Sequence, residues 1–290
     1  MNMNKNISRI LLFSSALLVL DACSGKNDQK TLTVSIEPQR YLLEQIVGDK
    51  YKVVSLIDRG TNPETFDPSM AKRISADRSA AYFGTGTLPF EKALKESLDG
   101  STPYFDTSDG ITFVYGTHSL RDYRHNESHD HNFDLDPHIW TSVANAKIMA
   151  QNMAESMITI DEPNASFYRE NLQRLTVHLD SLEADIRQKL RNGHTSFAIW
   201  HPSLTYFARE FGLQQIAVGQ ESKEMSPKHL HEIISQATKD SVKVFFFQKE
   251  LDSRQAENIN SQLGTRLISI DLMSYDWEDQ IHLIADELQK

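Results

Sequence analysis

Along this chain, short runs of β-branched and aromatic residues alternate with segments of helical apolar spacing, and the alternation occurs twice. The runs TLTVSI (31–36), YKVVSLI (51–57), AAYFGT (80–85) and ITFVY (111–115) predict strands, while RYLLEQIVG and PFEKALKESL between them carry helical spacing. After residue 195 the pattern returns: SFAIW, LQQIAV, VKVFFF and RLISID read as strands. They are separated by helical segments at 203–211, 226–238 and 253–263, and a closing helix starts at about Trp277. Parallel strands need helical crossovers, so this alternation predicts an α/β protein with two sets of parallel βα units.

The stretch between the two sets, 164–193, shows no sign of a flexible linker. Asn164 follows Pro163 and can cap a helix, and Phe167, Leu172, Leu175, Leu179, Leu182, Ile186 and Leu190 keep an apolar stripe. Gly193 supplies a stop. One helix of this length spans roughly 40 Å at 1.5 Å per residue and would join the halves rigidly. The expected division is an N-terminal lobe over 31–163, a connecting helix over 164–193 and a C-terminal lobe over 194–290.

The N-terminus carries Lys5 and Arg9, then an apolar run from Ile10 to Leu20 that is too short to span a bilayer as a helix. It predicts a secretory signal over 1–22. The segment LDAC, Leu20 to Cys23, resembles the lipobox of bacterial lipoproteins, although Asp21 stands where that family more often has a small residue. The resemblance implies lipidation of Cys23, a tether over 23–30 and a membrane anchor. Cys23 is the one cysteine, so neither an internal disulfide nor a multi-thiolate metal site can form. The net charge of −10 becomes −11 once residues 1–22, with Lys5, Arg9 and Asp21, are removed. An acidic chain of this kind has no general attraction for nucleic acid, but its surface concentrates cations.

Four residues stand at places where a cation could be held. His138, in DPHIW, follows a proline that stiffens the turn, and His201, in AIWHPSLTYF, ends the first strand of the second half. Asp271 ends RLISID, and Glu64 lies in GTNPETFDPS, the loop after the strand at 51–57. Each has an ordinary reading when taken alone: a packed histidine, a capping aspartate, a solvated loop acid. Together they are separated by 74, 63 and 70 residues, two in each half and all at strand ends or loops. Imidazole nitrogen and carboxylate oxygen are donors that zinc and manganese accept, and two carboxylates would neutralise a divalent ion in a closed cleft.

The segments SIEPQRYLLEQIVGD, GTNPETFDPSMAKRISADRSAAYFGTG, DPHIW, HPSLTYFAREFGL and VKVFFFQKELDSRQAENI carry, in order, a resemblance to the solute-binding lipoproteins of zinc and manganese ABC importers. That family has two α/β lobes joined by one rigid helix and binds its metal in the cleft between them. The resemblance implies a metal-binding set of Glu64, His138, His201 and Asp271, a monomer, and a membrane permease as partner. Glu64 departs from the commoner Pro-His of that loop, and Met225 stands where the family often has proline. In zinc-specific members a loop rich in histidine and acid precedes the Asp-Pro-His motif. HSLRDYRHNESHDH occupies that place, which makes His118, His125, His129 and His131 an auxiliary metal-collecting loop over 118–131. The expected cargo is Zn²⁺, with Mn²⁺ the alternative because two carboxylates add hard oxygen. Two readings of other classes remain open. A secreted metallohydrolase would need a bound water and a general base, and no HExxH or GxSxG motif occurs. A surface adhesin would need a partner surface that these residues do not encode.

Overall fold

The computed structural model describes residues 30–98, 100–116, 135–219, 227–249 and 253–290. Cys23, the loop histidines His118, His125, His129 and His131, and Glu221, Glu224 and Met225 lie outside these residues. Two four-stranded sheets organise the chain, each wholly parallel. The first contains β1 (Thr31–Val34), β2 (Lys52–Ser55), β3 (Ala81–Gly84) and β4 (Tyr104–Asp106) in the order β2-β1-β3-β4. The second contains β5 (Ser196–Ile199), β6 (Gln214–Ala217), β7 (Val244–Gln248) and β8 (Arg266–Ile270) in the order β6-β5-β7-β8. The two orders are the same when counted within each sheet. Each sheet therefore reverses its winding beside its first strand, where open α/β sheets form a ligand crevice at their carboxyl ends.

Helices α1 (Glu37–Val47), α2 (Met70–Asp77), α3 (Pro89–Ser97) and α4 (Val143–Ile160) serve the first sheet. Helices α6 (Thr205–Phe211), α7 (Pro227–Lys239), α8 (Ser253–Leu263) and α9 (Trp277–Gln289) serve the second. Between them runs α5 (Ala165–Leu190), 26 residues long, packed against α1 and α4 on one side and α9 on the other. Its buried face is Tyr168, Asn171, Leu175, Leu179, Leu182 and Ile186, close to the stripe read from the sequence. The two-lobed α/β architecture with one long joining helix is thus present.

Side-chain alternation along the strands explains why the lobes adhere. Phe197, Ile199, Val244 and Phe246 join a core continuous with the N-terminal lobe and α5, whereas Ala198 and Phe245, on the opposite face, pack with Ile216, Val218, Ala237 and Ala256. One face of the second sheet is therefore devoted to the interlobe core.

Two local expectations are corrected. ITFVY (111–115) is not a strand of the sheet; the fourth strand is Tyr104–Asp106, where Tyr104 stacks on Tyr82 with ring centroids 5.5 Å apart. Residues 111–115 instead lie across the other lobe, making an isolated bridge from Tyr115 to Leu135. Asn164 stands at the start of α5 but does not cap it: its amide donates to Asp161 Oδ2 at 2.8 Å. Gly193 is required for closeness, since a Cβ there would meet the Leu288 carbonyl oxygen at 2.7 Å.

Candidate metal centre

Glu64 lies in the loop that follows β2. Its backbone N–H donates to Asn62 Oδ1 at 2.8 Å, a turn that sets the direction of the side chain. Downstream, Phe66 meets Phe90 edge-on, with centroids 5.1 Å apart, and Asp67 pairs with Arg73 at 2.7 Å. Asp67 is thereby turned to solvent. Ser69 caps α2 by accepting from Lys72 N. The loop is anchored on both sides of Glu64, whose side chain is 14% exposed.

His138 is fixed from its own backbone outward. Asp136 Oδ1 accepts both the His138 backbone N–H at 3.0 Å and the ring Nδ1 at 2.9 Å. With Nδ1 committed to the carboxylate, Nε2 is the nitrogen left to face a ligand, the arrangement common in carboxylate-histidine-metal sites. Thr87 Oγ1 donates to the Pro137 carbonyl at 2.9 Å. After the histidine, Trp140 Nε1 donates to Leu272 O at 2.9 Å, and Trp277 Nε1 donates to Trp140 O at 2.8 Å.

His201 stands two residues beyond β5, at the strand beside which the second sheet reverses its winding. Gln248, at the end of the neighbouring β7, accepts the His201 N–H at 3.4 Å and donates to its carbonyl at 2.6 Å. This places the imidazole across the cleft from Glu64.

The three side chains meet. Glu64 Oε1 lies 3.1 Å from His138 Nε2 and 2.8 Å from His201 Nε2, and the imidazole centroids are 5.1 Å apart. The donor atoms all lie within 4.8 Å of one another, and this is the one such cluster among the described residues. Zinc bonds of about 2.0–2.2 Å in a tetrahedron put neighbouring donors roughly 3.3 Å apart, so separations of 2.8 and 3.1 Å need only a small expansion. The chemistry of the set, two imidazoles and one carboxylate, suits a borderline divalent cation.

Protons hold this cluster together without a metal. Burial of Glu64 would raise its pKa, but hydrogen bonds from His138 and His201 outweigh that and hold the carboxyl well below its ordinary value. Burial of His138 would lower its pKa, but Asp136 and Glu64 prevail and raise it from 6.5 to about 9. Asp136 is likewise lowered: burial opposes ionisation, and the bonds to His138 overcome it. At neutral pH the site holds a proton where it could hold a cation.

Of the four expected donors the structure gathers three. Asp271 does stand just past β8, in the turn leading to α9, where its backbone N–H donates to Gln280 Oε1 at 2.8 Å. Its carboxylate is not part of the cluster. Asp136 was not read as functional from the sequence. The signal was available, since an aspartate two residues before a histidine on a proline-stiffened turn can reach that ring. Of the other histidines, His178 is exposed and pairs with Glu278 at 2.8 Å, while His282 is half-buried beside Asp185. His194 is half-buried with its Nε2 enclosed.

The family model described as "Zinc-uptake complex component A periplasmic" matches residues 32–287. The high-affinity zinc uptake system protein ZnuA of Bacillus subtilis (strain 168) is 24% identical over 91% of this chain and 88% of its own length. The manganese ABC transporter substrate-binding lipoprotein PsaA of Streptococcus anginosus is 24% identical over 89% and 86%. The crystal structure of a ZnuA deletion mutant with zinc bound superposes with a TM-score of 0.80 at 27% identity, covering 90% of this chain and 97% of that one. These matches bear out the resemblance read from the quoted segments. With a family model spanning nearly the whole of both lobes, the chain belongs to the family of the zinc-uptake complex component A proteins.

Proposed function

We propose that this protein captures Zn²⁺ outside the cytoplasm and delivers it to an ABC importer. The observation that carries the reading is the convergence of Glu64, His138 and His201 from three loops of two lobes on one point. Each is held by its own hydrogen bonds before any cation arrives. Asp271 is the proposed fourth donor, reached by a movement of the turn after β8. His118, His125, His129 and His131 serve as a weaker collecting site. Cys23, once lipidated, tethers the protein to the membrane that carries the permease. No described helix is long and apolar enough to cross a membrane.

The family consists of substrate-binding transport proteins, and the three-donor cluster is read as a binding site without a reaction. Mn²⁺ is the second reading, favoured by one observation: Glu64 places a hard oxygen between the imidazoles. Titration of metal-free protein with Zn²⁺ and Mn²⁺ in competition separates the two. One tight Zn²⁺ equivalent that Mn²⁺ displaces only in large excess supports zinc; the reverse order assigns manganese. Delivery is tested by zinc-limited growth of a deletion strain, restored by the wild-type gene but not by His138→Ala.

A further inference from the structure

The turn bearing His138 belongs by sequence to the N-terminal lobe, yet much of its anchorage comes from the other one. The most direct of these anchors is Tyr206, on α6, five residues beyond His201. Its ring is fully buried. Its hydroxyl donates to the Asp136 carbonyl at 2.9 Å and accepts the Val114 N–H at 3.1 Å, so it joins the two segments 111–116 and 135–136. Those segments are also joined to each other, through Asp136 N–H to Val114 O at 2.9 Å and the bridge from Tyr115 to Leu135. Arg209, one helical turn after Tyr206, donates to Thr112 O at 2.8 Å and lies 5.0 Å from the Tyr206 ring centroid. From the hydroxyl to the ring of His138 there are two hydrogen bonds, with Asp136 alone between them.

We propose that Tyr206 is a positioning residue for metal binding, whose hydroxyl fixes Asp136 and hence the aim of His138 relative to His201. This rests on the reading of Glu64, His138 and His201 as the metal site. A residue that served only to fill the core would not need the hydroxyl, because phenylalanine has the same ring. The hydroxyl matters because it spans the lobes: it ties the helix that follows His201 to the residue that orients His138. Loss of partners that orient a ligating histidine typically weakens metal binding 10- to 100-fold.

The test is Tyr206→Phe in the full-length protein, with Zn²⁺ affinity by competition and the visible spectrum of the Co²⁺-loaded form, which reports ligand geometry. One tight Zn²⁺ equivalent in the wild type establishes the site itself; its absence would refute the proposed function and not this inference alone. Given that site, the expected result is a 10- to 100-fold loss of affinity and an altered Co²⁺ spectrum. Combined with Asp136→Asn, the losses should fall short of multiplying, since both act through one link. Wild-type affinity with an unchanged spectrum, or losses that multiply fully, would overturn the proposal. Should Tyr206→Phe fail to fold, site-specific replacement of Tyr206 by 4-aminophenylalanine keeps the ring and puts a weaker donor in the place of the hydroxyl. A smaller loss of affinity with an altered Co²⁺ spectrum supports the proposal, and wild-type affinity with an unchanged spectrum overturns it.

Discussion

Zinc should displace a proton from this site, and the amount follows from the bonds around His138. Between Asp136 and Glu64 the buried imidazole is raised to about 9, so at pH 7.5 roughly 97% of the metal-free protein carries a proton there. A coordinating imidazole must be neutral. Each zinc ion bound at pH 7.5 should therefore release about one proton from His138, at a cost of about 2 kcal/mol relative to pH 9. The sign is fixed: the proton competes below the raised pKa, so affinity climbs about tenfold per pH unit from pH 7 and levels off near 9. Calorimetry in buffers of different ionisation enthalpy measures the proton count, and chelator competition across the same range measures the slope. Asp136→Asn removes one of the two carboxylates that raise the pKa, leaving burial to act more freely, so the levelling point should move to lower pH. A release well under half a proton at pH 7.5, or a curve that levels near 6.5 in the wild type, would mean that His138 holds no such proton between the two carboxylates.

Replacing Glu64 by histidine exchanges an oxygen donor for nitrogen, and the Zn²⁺ to Mn²⁺ affinity ratio should rise even though both lose one negative charge; competition titration reads the ratio, and no change would remove Glu64 from the donor set. Deleting residues 118–131 should abolish weak additional zinc equivalents while one tight equivalent survives, as counted by equilibrium dialysis. Leu179→Ala, at a fully buried position of α5, should cost about 2–5 kcal/mol of stability in denaturant unfolding. A loss under about 1 kcal/mol would mean that α5 is not packed as described.

How far the sequence foretold this depends on whether the cause is local. The stripe of α5 and the alternation of both lobes follow from periodicity, and they could be read. The choice of Tyr104–Asp106 over Ile111–Tyr115 as the fourth strand could not, because both runs are rich in strand-forming residues and pairing is decided by a distant neighbour. Residues 111–115 are needed elsewhere, under Tyr206 and Arg209. At the site, His138 and His201 were placed by a stiffened turn and a strand end. Glu64 is legible as a loop acid after a strand, and the family resemblance makes it a donor, but its central position between the imidazoles emerges only in three dimensions. Asp136 takes its part because its carboxylate turns back onto the ring two residues on, which the residues Asp-Pro-His allow but do not dictate. Asp271 was legible as a strand-end acid, but whether its carboxylate reaches the cluster depends on the turn toward α9.

Zinc itself can be located in a crystal of the zinc-loaded protein measured at the zinc absorption edge. One strong anomalous peak is expected within about 2.0–2.2 Å of Glu64 Oε1, His138 Nε2 and His201 Nε2, with the Asp271 carboxylate drawn in as fourth donor. A strong peak elsewhere, with these three side chains still bonded to one another, would contradict this donor set.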